Sequence, residues 1–263
     1  MKQLFVIKVG GNILDNPELC SAFLDQLVQV DGAKMLVHGG GKIATSIGNK
    51  LGIESKYNEG RRITDEATLD LVTMVYGGLV NKQLVAALQA RNCNAVGLTG
   101  ADGNLMIAKK RNATPIDYGW VGDLNASGIN TGWLQPLLQQ GLVPVVAPLT
   151  HDGMGRMLNT NADTIAASLA IAMSSSFSVR LIYCFEKKGV LRDVQDADSV
   201  IGNLNKASYE ELLQRGLLAD GILPKLQSAF KAIDAGVPEI LIGDAADLLQ
   251  NTTGATAGTL ISA

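Results

Sequence analysis

The chain has 263 residues, 22 basic against 25 acidic, a net charge of −3, and 47% apolar against 18% charged residues. This length fits one large domain or two tightly joined lobes with a sizeable core, and the composition excludes a disordered chain. There is no basic excess to track a phosphate backbone, so a nucleic-acid role is set aside, while small anions stay open as ligands.

Gln3–Val9 is an apolar run broken only by Lys8 and followed by Gly10-Gly11, which reads as a buried strand ending in a tight turn. Asn16-Pro17-Glu18 opens an amphipathic helix to about Val30, since proline suits a first helical turn. A second strand, Lys34–His38, runs into Gly39-Gly40-Gly41 and a helix from Lys42 to Leu51. A long helix is expected from Asp65 to Arg91 and a third strand over Asn94–Leu98. This repeated strand–turn–helix order predicts a parallel sheet with helices on its faces. Residues 103–128 break the rhythm and read as hairpins. Helix 130–140 and strand Val143–Ala147 restore it. They are followed by an alanine-rich helix Asn161–Ser175, strand Val179–Phe185, helices near 206–215 and 220–235, and strands Glu239–Ile242 and Thr259–Ile261. The softest boundary is Ser174-Ser175-Ser176, a cleft rather than a linker.

The cysteines Cys20, Cys93 and Cys184 are odd in number and widely spaced, without a CxxC, which argues against a disulfide framework or zinc site and suits a reducing cytosol. The histidines are only His38 and His151, so no His-rich metal centre is expected. The first residues enter a strand directly, with no signal-peptide pattern, and no uncharged apolar run reaches the roughly 18 residues of a membrane span. A cytoplasmic location is expected.

Both glycine turns follow strands, where backbone N–H groups can approach an anion without a Cβ in the way; a sharp turn without a ligand is the alternative. Neither is a standard fingerprint. A P-loop needs Ser or Thr after Gly41-Lys42, where Ile43 stands, and no strand is followed by GxGxxG. Lys8 lies inside an apolar strand, either snorkelling at a sheet edge or bringing its ammonium to the glycine N–H groups. Asn161 suits an N-cap. Asp163 in the same first turn either complements the helix dipole or carries chemistry. Lys225 is open between a surface lysine and a functional one. Arg61-Arg62 is either a solvated pair or a fork for carboxylate capture.

IKVGGN at 7–12, VHGGGK at 37–42, GRRITD at 60–65, VGLTGADG at 96–103, LNTNADT at 158–164 and ADGILPK at 219–225 span nearly the whole chain. In that order they resemble the amino-acid kinase family, and within it the N-acetylglutamate kinases. The resemblance implies an α/β fold, a three-layer α/β/α sandwich around an open, mainly parallel sheet. Residues 1–175 would form the acyl-amino-acid lobe and 176–263 the nucleotide lobe, sharing one sheet. It implies transfer of the γ-phosphoryl group of ATP, with Mg²⁺ carried by the ATP, to the γ-carboxylate of N-acetyl-L-glutamate, an early step of arginine synthesis. Lys8 and Lys225 would flank the transferring group, Asp163 orient them, and Gly10 and Gly11 donate to phosphate oxygens. Gly40, Gly41 and Arg62 would hold substrate carboxylates, with Asn159 helping. Glu186, Gly189, Val190 and Leu191 would meet the nucleotide, and no protein metal site is implied.

The sequence also departs from the family pattern. Phe185-Glu186-Lys187-Lys188-Gly189 replaces the usual Asp-Val-x-Gly run, leaving Lys187 and Lys188 open between phosphate contacts and a solvated loop. Arg61 stands where an apolar residue is usual, which raises an N-succinylglutamate substrate, with its extra carboxylate, as an alternative. Arginine-inhibited relatives carry an extra N-terminal helix, and this chain begins close to its first strand. A homodimer without strong arginine feedback is therefore expected. Rival readings are a carbamate, aspartate or glutamate kinase of the same family, a non-catalytic amino-acid or nucleotide sensor, and, weakest for want of a fingerprint, a dehydrogenase.

Overall fold

The computed structural model describes residues 1–58, 60–193, 195–196, 198–215 and 223–263, without the side chain of Pro224. In chain order the first half comprises β1 (Gln3–Val9), α1 (Gly11–Asp15), α2 (Pro17–Gln29), β2 (Ala33–His38), α3 (Gly41–Lys50), β3 (Tyr57–Asn58), β4 (Arg61–Arg62), α4 (Glu66–Val72), α5 (Asn81–Gln89), β5 (Ala95–Leu98), β6 (Lys109–Lys110) and β7 (Gly122–Asp123). The second half comprises α6 (Thr131–Gln139), β8 (Val143–Val146), β9 (Leu149–His151), β10 (Met157–Asn159), α7 (Ala162–Met173), β11 (Ser178–Phe185), β12 (Asn203–Leu204), α8 (Lys206–Gln214), α9 (Leu223–Asp234), β13 (Glu239–Asp244), α10 (Leu248–Asn251) and β14 (Thr259–Ile261).

An eight-stranded sheet runs β12-β14-β13-β11-β1-β2-β8-β5. Every pairing in it is parallel except β13 with β14. β1 shows why the sequence reads as a continuous apolar run. Its side chains alternate between faces, and both faces are covered. Leu4 and Val6 join one core with α6, α7 and α9, while Phe5, Ile7 and Val9 join another with α2, α3 and the α4–α5 helix. Lys8 therefore falls on the α7 face. Helices on both faces of a mainly parallel sheet make the expected three-layer sandwich.

The chain builds outward from β1 in both directions, so β1 is the point where the strand order reverses. Parallel strands end at one edge, and ligands of such sheets sit in the crevice beyond those ends. There Val9 pairs with both His38 and Cys184, and Phe185 with Asp244. Both glycine turns and the 186–191 loop thus leave the same edge.

Several expectations are corrected. Gly10-Gly11 is not only a turn, because α1 begins at Gly11. The long helix runs 66–89, but Thr73–Val80 inside it is π-helical, a form common at functional sites. Only one short hairpin, β6 with β7, forms within 103–128, and the hairpins β3–β4 and β9–β10 lie outside that stretch. The helix expected near 220–235 is described from Leu223, and its first residues lie outside the described ones. Glu66–Gln89 is long and apolar enough to cross a membrane by composition alone. In this fold its Leu69, Leu71, Val72, Val75, Val80, Leu84 and Leu88 are core residues.

Candidate active site

Lys8, at the penultimate position of β1, meets the first turn of α7. Its Nζ lies 2.8 Å from Asp163 Oδ1, with side chains 10% and 32% exposed. A buried ammonium is costly without a counter-charge, and Asp163 supplies it. Among the described residues no donor is aligned for a hydrogen bond on this Oδ1, so the contact with Lys8 is one of charge. Asn161 fixes the turn as expected of an N-cap, its Oδ1 accepting from the N–H groups of Asp163 and Thr164 at 2.8 and 3.1 Å.

Lys225, from α9, enters the same place. Its Nζ stands 3.4 Å from the centre of the Phe185 ring, and Lys8 Nζ stands 5.5 Å from it. Burial holds the Lys225 ammonium below its ordinary pKa; the Asp163 charge opposes this and the Lys8 charge adds to it. Burial, then the Asp163 charge, pushes the Tyr183 phenol above its usual value. Cys184 is pushed up to about 12 chiefly by burial, so it is an inert thiol here.

The glycine turns touch. A Cβ on Gly39 would lie 3.5 Å from the Gly11 amide nitrogen. Gly40 has φ +144° and packs against the Tyr76 ring, where a Cβ would come within 3.1 Å. This left-handed conformation, with an aromatic wall behind it, needs glycine. Gly41 begins α3, with open space where a Cβ would sit.

Arg62, on β4, is buried and held by neutral acceptors. Nη2 donates to Gly41 O at 2.8 Å and Thr45 Oγ1 at 2.9 Å, Nη1 donates to Ser55 Oγ, and the guanidinium lies 4.9 Å over the Tyr57 ring. Among the described residues it has no carboxylate partner. Asn159 Nδ2 donates to Thr64 Oγ1 at 2.9 Å, which ties β10 to the segment carrying Arg62. Arg61 is exposed.

The 186–191 loop divides. Glu186, Lys187 and Lys188 are exposed, and Lys188 pairs with Asp198 at 2.5 Å. Gly189 and Val190 are buried. The Val190 N–H donates to Thr259 Oγ1 at 2.8 Å, and that hydroxyl leaves no room for a Cβ on Gly189. Leu191 is half-buried and bridges to Val200.

A profile of the amino acid kinase family matches residues 3–244. The chain belongs to the amino acid kinase family. An acetylglutamate kinase of Cytophaga hutchinsonii is 55% identical over 251 residues, 95% of this chain and 94% of that protein. Another, of Phocaeicola vulgatus, is 53% identical over 241 residues, 92% of this chain and 93% of that one. A crystal structure from Streptococcus mutans UA159 superposes with a TM-score of 0.76 at 27% identity, covering 99% of this chain and 98% of that one.

For an amino acid kinase the sequence reading missed a second tier of residues. Thr45, Ser55 and Tyr57 orient Arg62, Thr259 anchors the Gly189 turn, and Phe185 underlies both lysines. None carries a sequence signal of its own. His38 had one, its place just before three glycines. Its Nδ1–H donates to Gly39 O at 2.7 Å, which leaves Nε2 to accept from Asn81 Nδ2 at 3.2 Å. Asn81 Nδ2 also donates to Val145 O at 2.8 Å.

The His38 environment has a consequence for stability. Burial drives its pKa from 6.5 down to about 4; the Gly39 carbonyl opposes this and Lys82 reinforces it. The unfolded chain therefore binds a proton that the folded chain refuses. Stability is full above about pH 6.5 and is lost as pH falls towards 4, by about 2 kcal/mol at pH 5 from this residue alone. Urea unfolding at pH 7.5 and 5 should show the decline, and His38→Gln should shrink it. An equal decline in the variant would refute the assignment.

Proposed function

We propose that this chain transfers the γ-phosphoryl group of ATP to the γ-carboxylate of N-acetyl-L-glutamate, or a close N-acyl-glutamate, as a cytoplasmic enzyme early in arginine synthesis. The observation that carries this reading is the convergence of Lys8 and Lys225 on the Phe185 ring, with Asp163 paired to Lys8, at the strand end that leads into the first glycine turn. Relatives named acetylglutamate kinase, matched nearly end to end, support it.

The chemistry fits that convergence. A carboxylate is already ionised at neutral pH, so the nucleophile needs no general base. The difficulty is electrostatic: two anions must meet, and charge spreads over the phosphoryl oxygens in the transition state. Lys8 and Lys225 would brace those oxygens and Asp163 would fix the lysines. Gly10 and Gly11 would offer N–H groups. Mg²⁺ enters as part of the MgATP substrate. Preset charges of this kind lower the barrier without reorganising.

In this reading Gly40, Gly41, Arg62 and Asn159 bind the acyl-amino acid. Arg62 supports this reading, because among the described residues its buried guanidinium meets only uncharged acceptors. Residues 1–175 form the acyl-amino-acid lobe and 176–263 the nucleotide lobe, with Glu186, Gly189, Val190 and Leu191 nearest the nucleotide. This reading includes a homodimer, for which the exposed Met74 and Leu79 of the 66–89 helix offer apolar surface; a monomeric mass by light scattering would remove it.

The test is coupled ADP release over N-acetyl-L-glutamate, N-succinyl-L-glutamate, glutamate, aspartate and carbamate, with hydroxylamine trapping of the acyl phosphate. Turnover should be confined to the N-acyl-glutamates. Preference for any other acid would overturn the reading, and binding without turnover would make the chain a sensor.

A further inference from the structure

Phe185 is the last residue of β11 and is half-buried at the sheet edge. Its ring stacks on Tyr183, with centroids 6.3 Å apart and planes 19° apart. Above it sit two ammonium groups, Lys225 Nζ at 3.4 Å and Lys8 Nζ at 5.5 Å from the ring centre. Lys8 also has Asp163. Among the described residues Lys225 has no hydrogen bond or ion pair, and its ammonium rests on the face of the ring.

This arrangement solves a problem that a carboxylate would not. Like charges placed side by side repel, and each loses hydration on entering the site. A carboxylate beneath Lys225 would steady it, but would also neutralise it and repel phosphate. The face of a benzene ring carries partial negative charge from its quadrupole and attracts a cation without cancelling its formal charge. The ammonium is held and remains fully available to a phosphoryl group arriving on its other side.

We propose that Phe185 is a positioning residue for phosphoryl transfer, its ring seating the Lys225 ammonium and leaving that charge free for the phosphate, while Lys8 is held by Asp163 at the ring's margin. The proposal rests on the reading that these two lysines flank the transferring group. Phe185 itself need not touch the substrate.

The experiment keeps the shape of the ring and drains its charge. Full-length protein is prepared with phenylalanine, 3,5-difluorophenylalanine or 3,4,5-trifluorophenylalanine at position 185, alongside Phe185→Leu, Phe185→Tyr and Lys225→Ala. Fluorination weakens the negative face in steps. We expect kcat to fall stepwise along the series, with KM for the acyl-glutamate and the thermal midpoint unchanged. Phe185→Leu should lose about 10-fold in kcat, and Phe185→Tyr should recover most of it. A merely structural ring would give a flat fluorine series. If Lys225→Ala lowers kcat by about 10²–10³-fold and the series is flat, the Phe185 proposal fails alone. If Lys225→Ala turns over normally, the phosphoryl-flanking reading fails and takes this proposal with it.

Discussion

Lys8→Ala and Lys225→Ala are each expected to lower kcat by about 10²–10³-fold, the loss typical of removing one donor to developing transition-state charge. KM for the acyl substrate should change far less, because in the proposed mechanism the ammonium groups would act on charge that appears during transfer rather than on the bound acid. The two variants should differ in stability. Lys8 is deeply buried and ion-paired with Asp163, whereas Lys225 meets mainly a ring face. Lys8→Ala leaves a partly exposed Asp163 that water can reach, so the fold should persist and a kinetic comparison stays meaningful. Steady-state kinetics with saturating ATP decides the matter. Near-normal kcat in either variant would end its assignment to the transfer step.

Arg62→Ala should act on the other parameter. The expected result is a rise of about 10–100-fold in KM for the acyl-glutamate, the size of a lost charge-assisted hydrogen bond, with KM for ATP little changed. The reason is the setting of the guanidinium. Gly41 O, Thr45 and Ser55 aim it and Tyr57 backs it, yet none of them is charged. Lysine at this position should recover only part of the loss, since a single ammonium cannot span three acceptors held in a planar fork. A rise confined to the ATP term would place Arg62 with the nucleotide instead.

The sheet was legible in the sequence because its strands are buried on both faces. Gln3–Val9 and Val179–Phe185 read as apolar runs for the same reason that they now lie in the middle of the sheet. Lys8 was legible because a cation breaks an apolar strand, whereas Asp163 suits a helix's first turn and stood out only through the family resemblance. The π-helical stretch was not legible. Gly77-Gly78 weaken a helix there without choosing the π form over the α form, and Asn81 at its end is engaged by His38 and Val145, partners far away in the chain. The β9–β10 hairpin escaped because its strands have three residues each, too few for an alternating pattern. Phe185 escaped because an aromatic residue ending a strand reads as core. Only the folded chain brings lysines from β1 and α9 to its face.

The bond from Val190 N–H to the Thr259 hydroxyl spans 69 positions and carries a consequence for biosynthesis. As the polypeptide emerges from the ribosome, the Gly189 bend is made early but stays unclasped until the strand containing Thr259 has left the exit tunnel and docked. A nascent chain stalled before that point would have β1, β2 and β11 in hand and still lack a fixed seat beside Phe185. The clasp on the Gly189 bend would then close with the docking of β14 rather than with that of β11.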